Sequence, residues 1–113
     1  MAELQSEILN VGLDLAMEFG ANWLQPIQGR LASRYPRLTP EELDAYEAAC
    51  RTAMIWAQQR VPEHWNAVRG DEDEAFRRFK PHVLTVHPWI SGKNLKHLWT
   101  QGRYYALKDG LLE

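Results

Sequence analysis

Five side chains in this 113-residue chain have types suited to nucleophilic, proton-transfer or metal-binding chemistry: His64, His82, His87, His97 and the single cysteine, Cys50. His82 and His87 stand five residues apart, and His64 and His97 lie far from both in sequence. A protein zinc site takes three or four ligands, usually from short paired spacings, and no such pairing occurs here. Each histidine is therefore expected on the surface or in a hydrogen bond, with no metal. A cysteine nucleophile needs a neighbouring base in an electropositive, partly exposed setting. Cys50 instead falls on the row Leu43–Tyr46–Cys50–Ala53, which assigns it to a core as a small apolar residue. With no second cysteine, no disulfide closes within the chain.

No glycine-rich phosphate loop, Gly-x-Ser-x-Gly elbow or His-Glu-x-x-His pair is present. The acid pairs Glu41/Glu42 and Asp73/Glu74 stand at expected helix starts, where capping and the helix dipole account for them. No catalytic residue and no cofactor is expected.

Charge is the uneven feature. The formal net charge is −2. Met1 to Ala75 nevertheless carries six basic residues against thirteen acids, a net of −7. Phe76 to Lys108 carries seven basic residues (Arg77, Arg78, Lys80, Lys93, Lys96, Arg103, Lys108) and no acid, a net of +7, and Asp109 and Glu113 follow. Such segregation invites a partner of opposite sign. The leading expectation is a non-enzymatic helical interaction or regulatory module. Its basic, aromatic end (Arg77, Arg78, Lys80, Trp89, Lys93, Lys96, Trp99, Arg103 and Tyr104) would dock an acidic protein surface or a second copy of the chain. The same residues, with Tyr105, would alternatively hold nucleic acid, since bases stack on aromatics beside phosphate-binding cations. Against both stands internal neutralisation, in which the basic end folds back on the Pro40–Arg60 helix and the Asp71–Glu74 cluster. A third reading places a ligand pocket or a small active site near His82, His87, Trp89 and Tyr105.

Five tryptophans (Trp23, Trp56, Trp65, Trp89 and Trp99) are expected to anchor a core, because each ring contributes a large apolar area. His87-Pro88-Trp89-Ile90 is the expected exposed exception, an aromatic-aliphatic anchor on a loop.

Helices must position these groups. From Ala2 to Phe19 the residues Leu4, Ile8, Val11, Leu15 and Phe19 recur at helical spacing, with Leu9, Leu13 and Met17 in a second row. A kink is expected between Gly20 and Pro26, with Leu24, Ile27 and Leu31 carrying the pattern on to Ser33 or Arg34. Thr39-Pro40-Glu41-Glu42 has the form of a capping box with proline at the first helical position. The helix it opens should run to about Arg60, with Leu43, Tyr46, Cys50, Ala53, Ala57 and Val61 inward, and Pro62 should disrupt it. A short helix from Glu72 to Lys80 should end at Pro81. Pro81 to Ile90 is expected to be extended loop. Ser91 should cap a last helix, Gly92 to Lys108, with Leu95, Leu98, Trp99, Gly102, Tyr105 and Ala106 inward.

The resulting expectation is an all-α, bundle-like single domain over residues 1–113, with four to five helices and an irregular proline-containing segment before the last. An eleven-residue connection from Pro81 to Ser91 is too long for the 3–4-residue turn of a helix-turn-helix. The composition, 45% hydrophobic and 25% charged, is that of a globular chain. The longest stretch without Asp, Glu, Lys or Arg is the twelve residues Pro81–Gly92, so no membrane span is expected. Glu3 and Glu7 near the start argue against a secretory signal, and a cytoplasmic location follows as the default.

Overall fold

The computed structural model describes residues 3–18 and 20–113. Its elements are α1 (Ser6–Ala16), a short 3-10 turn (Gly20–Asn22), α2 (Gln28–Arg34), α3 (Pro40–Ala67), α4 (Glu72–Val86) and α5 (Gly92–Lys108). The protein is all-α, with no strand among the described residues. No helix among them is long and apolar enough to cross a membrane. Backbone contacts divide the chain into two compact units, Met1–Met54 and Ile55–Glu113, with the boundary inside α3.

In the first unit, α1 buries Ile8, Leu9, Leu13 and Leu15 against a core completed by Ile27, Leu31, Tyr46, Cys50, Ala53 and Met54. Ala2 and Phe19, the ends of the expected first helix, lie outside the described residues. Polar contacts tie the elements of this unit together. The Gln5 amide donates to the Tyr46 hydroxyl at 2.9 Å, the Ile27 amide to the Glu47 carboxylate at 3.0 Å, and Arg30 to the Leu15 carbonyl at 3.0 Å. The expected kink is a full break. Gly20 has φ +81°, and Leu24 stands at φ +64° with 62% of its surface exposed, so it does not continue the apolar row. A left-handed backbone at a leucine costs about 1 kcal/mol or more and cannot propagate a helix. The row resumes at Ile27, which is fully buried.

The capping box at the start of α3 closes in both directions. The Glu42 amide donates to Thr39 Oγ1 at 3.1 Å, and the Thr39 amide to the Glu42 carboxylate at 2.9 Å. This helix does not stop before Pro62; it continues to Ala67 with Pro62 inside it. A proline removes one hydrogen bond and crowds the carbonyl four residues back, at a cost of about 3 kcal/mol. Fully buried Val61, directly before Pro62, and Ala57 one turn earlier supply the opposing term. The helix ends past Trp65, whose carbonyl accepts from the Gly70 amide at 3.0 Å, with Arg69 at φ +55° and Gly70 at φ +83°.

In the second unit, α4 corrects the expectation of an extended Pro81–Ile90 loop. The helix runs through Pro81 to Val86. Val83 is fully buried on its inner face, and the Thr85 hydroxyl donates to the Pro81 carbonyl at 2.8 Å. Strand propensity in Val83, Thr85 and Val86 is worth only tenths of a kcal/mol per residue and yields to burial. The connection to α5 is therefore five residues, His87–Ser91, in place of eleven. The length argument against a helix-turn-helix rested on the longer connection and shrinks to one residue beyond that motif's usual turn. Ser91 caps α5 as its sequence requires, its Oγ accepting from the Asn94 amide at 3.2 Å. Phe79, Val83, Ile90, Leu95, Leu98 and Trp99 fill the core of this unit.

Candidate functional site

The candidate surface is built on α4 and α5. Glu72 meets Arg103, and Phe76 lies edge-on to Trp99 with ring centres 5.8 Å apart. With a five-residue connection at the other end, the two helices run antiparallel. Lys80 lies four residues beyond Phe76, and Lys96 three before Trp99. Helical rise then brings the two lysines to within about 2 Å of the same level.

The cations expected on this face divide by type. The arginines are matched with acids of the Asp71–Glu74 cluster. Arg77 pairs with Glu74 at 2.6 Å, Arg78 with the same carboxylate at 3.2 Å, and Arg103 with Glu72. Asp71 itself caps α4, its carboxylate accepting from the Glu74 amide at 3.2 Å. The lysines Lys80, Lys93 and Lys96 are exposed and make no ion pair among the described residues. On α5 the exposed positions Lys93, Lys96, Thr100, Tyr104 and Leu107 follow at steps of three, four, four and three, and so form one face. Tyr104 is 55% exposed, its ring edge-on to Tyr105 at 5.2 Å.

The two tryptophans of the expected contact set differ from this face. Trp99 is 4% exposed, packed on Phe79 at 5.1 Å, with its indole N–H donating to Glu72 at 3.3 Å. It holds the helix pair together and presents almost no surface. Trp89 is half-buried beside His87, at 6.3 Å between ring centres.

Local spacing did not reveal the histidine arrangement. His64 on α3 and His82 on α4, eighteen residues apart, place Nε2 and Nδ1 within 2.8 Å. Trp56 lies edge-on to both His82 (5.3 Å) and His87 (5.4 Å), and the Arg60 guanidinium sits 5.2 Å from the Trp56 ring centre. Phe79 stands edge-on to His64 at 6.3 Å. Burial pushes the pKa of His64 down, and the neighbouring His82 adds to the shift. His87 is lowered by burial alone. Only the α3 side was available from the chain: Trp56, Arg60 and His64 follow at steps of four and so share one helix face.

Chemically, two ring nitrogens can share a proton, but they fall short of a metal site. No group of three or more metal-type side chains occurs among the described residues. Tyr105 lines a groove of about 290 Å³ with Ile55, Gln58, Pro62 and Leu111, and His82, His87 and Trp89 are not part of its wall. Cys50 is fully buried in the first unit, its thiol donating to the Leu9 carbonyl at 3.2 Å. Burial, with the Glu47 carboxylate nearby, pushes that thiol up to about 12, which leaves it protonated and non-nucleophilic near neutral pH.

No protein-family model, no curated protein and no solved structure matches this chain.

Proposed function

We propose that the protein is a non-enzymatic helical interaction module whose α4–α5 face docks an acidic protein surface. One observation carries this reading: Lys80, Lys93 and Lys96 remain exposed and unmatched by acids, while Arg77 and Arg78 share the Glu74 carboxylate and Arg103 pairs with Glu72. Exposed lysines at the level of one another attract a negative surface and steer its approach. Tyr104, exposed on the same α5 face, adds an aromatic contact of the kind enriched at interfaces. The arginine pairs narrow the docking set proposed from sequence to the lysines, with Tyr104 on the same α5 face.

The test is capture from a lysate of the source cells by the wild-type chain and by the Lys80→Glu/Lys93→Glu/Lys96→Glu variant. An acidic protein is retained by the wild type, and the reversal weakens its binding at least about tenfold. Retention of nucleic acid, with affinity falling log-linearly in salt, would replace this reading by the nucleic-acid alternative. A native mass showing a dimer that the reversal dissociates would identify the partner as a second copy.

A further inference from the structure

The first unit holds a second feature that the α4–α5 face does not explain. Its residues, Met1–Met54, include four arginines against eight acids, a net of −4. Two of those arginines are matched: Arg30 with Glu18 at 2.8 Å and Arg51 with Glu47 at 3.0 Å. The other two, Arg34 and Arg37, are exposed and make no ion pair or hydrogen bond among the described residues, in a unit with acids to spare. Glu42, on the chain that follows them, is engaged by the Thr39 amide at 2.9 Å.

These two guanidiniums rim a groove of about 370 Å³, whose remaining wall is Ile8, Tyr35, Pro36 and Leu38. That size falls at the small end of the roughly 300–1,000 Å³ typical of ligand sites, which combine apolar walls with a few polar groups. The walls are set in advance. Pro36 has a restricted φ, and the Leu38 amide is held by the Tyr35 carbonyl at 3.1 Å. Arg34 lies in the last turn of α2, where a cation also complements the helix dipole. Arg37, beyond that helix, has no such role.

We propose that this groove binds a small amphipathic carboxylate, its apolar body against Ile8, Tyr35, Pro36 and Leu38 and its head group between Arg34 and Arg37. Guanidinium forks match a carboxylate in two parallel hydrogen bonds, a geometry that lysine does not offer. The charge excess at the rim selects an anion, and the apolar wall selects a hydrocarbon tail over a free inorganic ion.

Titration of the full chain with sodium hexanoate, followed by backbone amide NMR shifts, tests the site. Hexan-1-ol is the neutral control, and Arg34→Gln/Arg37→Gln is the variant. Hexanoate is expected to saturate with a Kd of about 1 mM or tighter, with shifts centred on Ile8 and residues 34–38. Hexan-1-ol should bind at least about fivefold more weakly, and the variant should lose the same factor for hexanoate but not for the alcohol. Equal affinity for acid and alcohol would reduce the groove to an apolar crevice and overturn the proposal. So would absence of shifts at these residues, or a folded variant that binds hexanoate as the wild type does. The acid–alcohol comparison on the wild type decides the matter even if the variant does not fold.

Discussion

His64 and His82 join α3 to α4 through ring nitrogens 2.8 Å apart, so one ring donates its N–H while the other accepts on a bare nitrogen. The bond exists only while at least one ring is neutral. Around it stand Arg60 and Glu63 from α3 and Arg78 from α4; the two arginines lower the His64 pKa and Glu63 raises it, less than burial and His82 together lower it.

A pH dependence follows with a fixed sign. His64 and His87 both titrate below their ordinary value of about 6.5, so between that value and their folded pKa the unfolded chain binds more protons. Their contribution to stability is complete above about pH 6.5 and is lost as pH falls through the folded pKa. Urea unfolding at pH 7.5 and pH 5.5 should give the lower midpoint at pH 5.5. His64→Gln should flatten that difference, since the amide can bond to His82 without titrating. An unchanged pH difference in the variant would remove His64 from the account.

Pro81 offers a test of the α4 boundary. It is exposed, nine residues into a fifteen-residue helix, and denies the Arg77 carbonyl its backbone donor. Pro81→Ala should restore that bond and stabilise the protein by about 1–3 kcal/mol, read as a higher thermal midpoint. If α4 ended at Lys80, the same change would be nearly neutral.

These positions show where the fold was legible and where it was not. Thr39 with Glu42, and Ser91 with Asn94, are contacts three residues apart, and such local chemistry reads directly from the chain. Arg77 and Arg78 lie three and four residues beyond Glu74, so their pairing with it was legible in the same way. Glu72 with Arg103, and His64 with His82, are 31 and 18 residues apart and depend on which helices pack together. Pro62 and Pro81 misled for a related reason: a breaker costs a few kcal/mol locally, and the burial of Val61 and Val83 that opposes it is a tertiary quantity.

Gly102 marks a close approach of α5 to α3 within the second unit. A Cβ there would stand 2.8 Å from Val61 Cγ2 and 3.3 Å from the Gln58 Cα. Gly102→Ala gains about 1 kcal/mol of helix propensity but forces apart a contact that includes backbone, at about 1–3 kcal/mol. Net destabilisation of up to about 2 kcal/mol is expected by urea unfolding. It should come with a shift of the Gln58–Gln101 side-chain bond, now 2.6 Å, detectable in the Gln101 amide resonances. A stabilised variant would mean that the two helices separate freely at this point.

Glu72 sets how much of the basic face is available. Its carboxylate takes both the Arg103 guanidinium and the Trp99 indole N–H, and it stands in the first turn of α4. Both charged side chains of the Glu72–Arg103 pair remain about two-fifths exposed, so the pair contributes at most about 1 kcal/mol. Glu72→Gln keeps the side-chain shape and an acceptor for Trp99 while releasing Arg103 from its counter-charge. If the α4–α5 face docks an acidic surface, the variant should bind that partner more tightly, by about two- to tenfold at low salt, with a steeper loss of affinity as salt rises. Stability should fall by no more than about 1 kcal/mol. Affinity and salt dependence measured side by side for the two proteins separate the alternatives. A weaker or unchanged interaction would show that Arg103 and its neighbours serve only to hold α4 to α5.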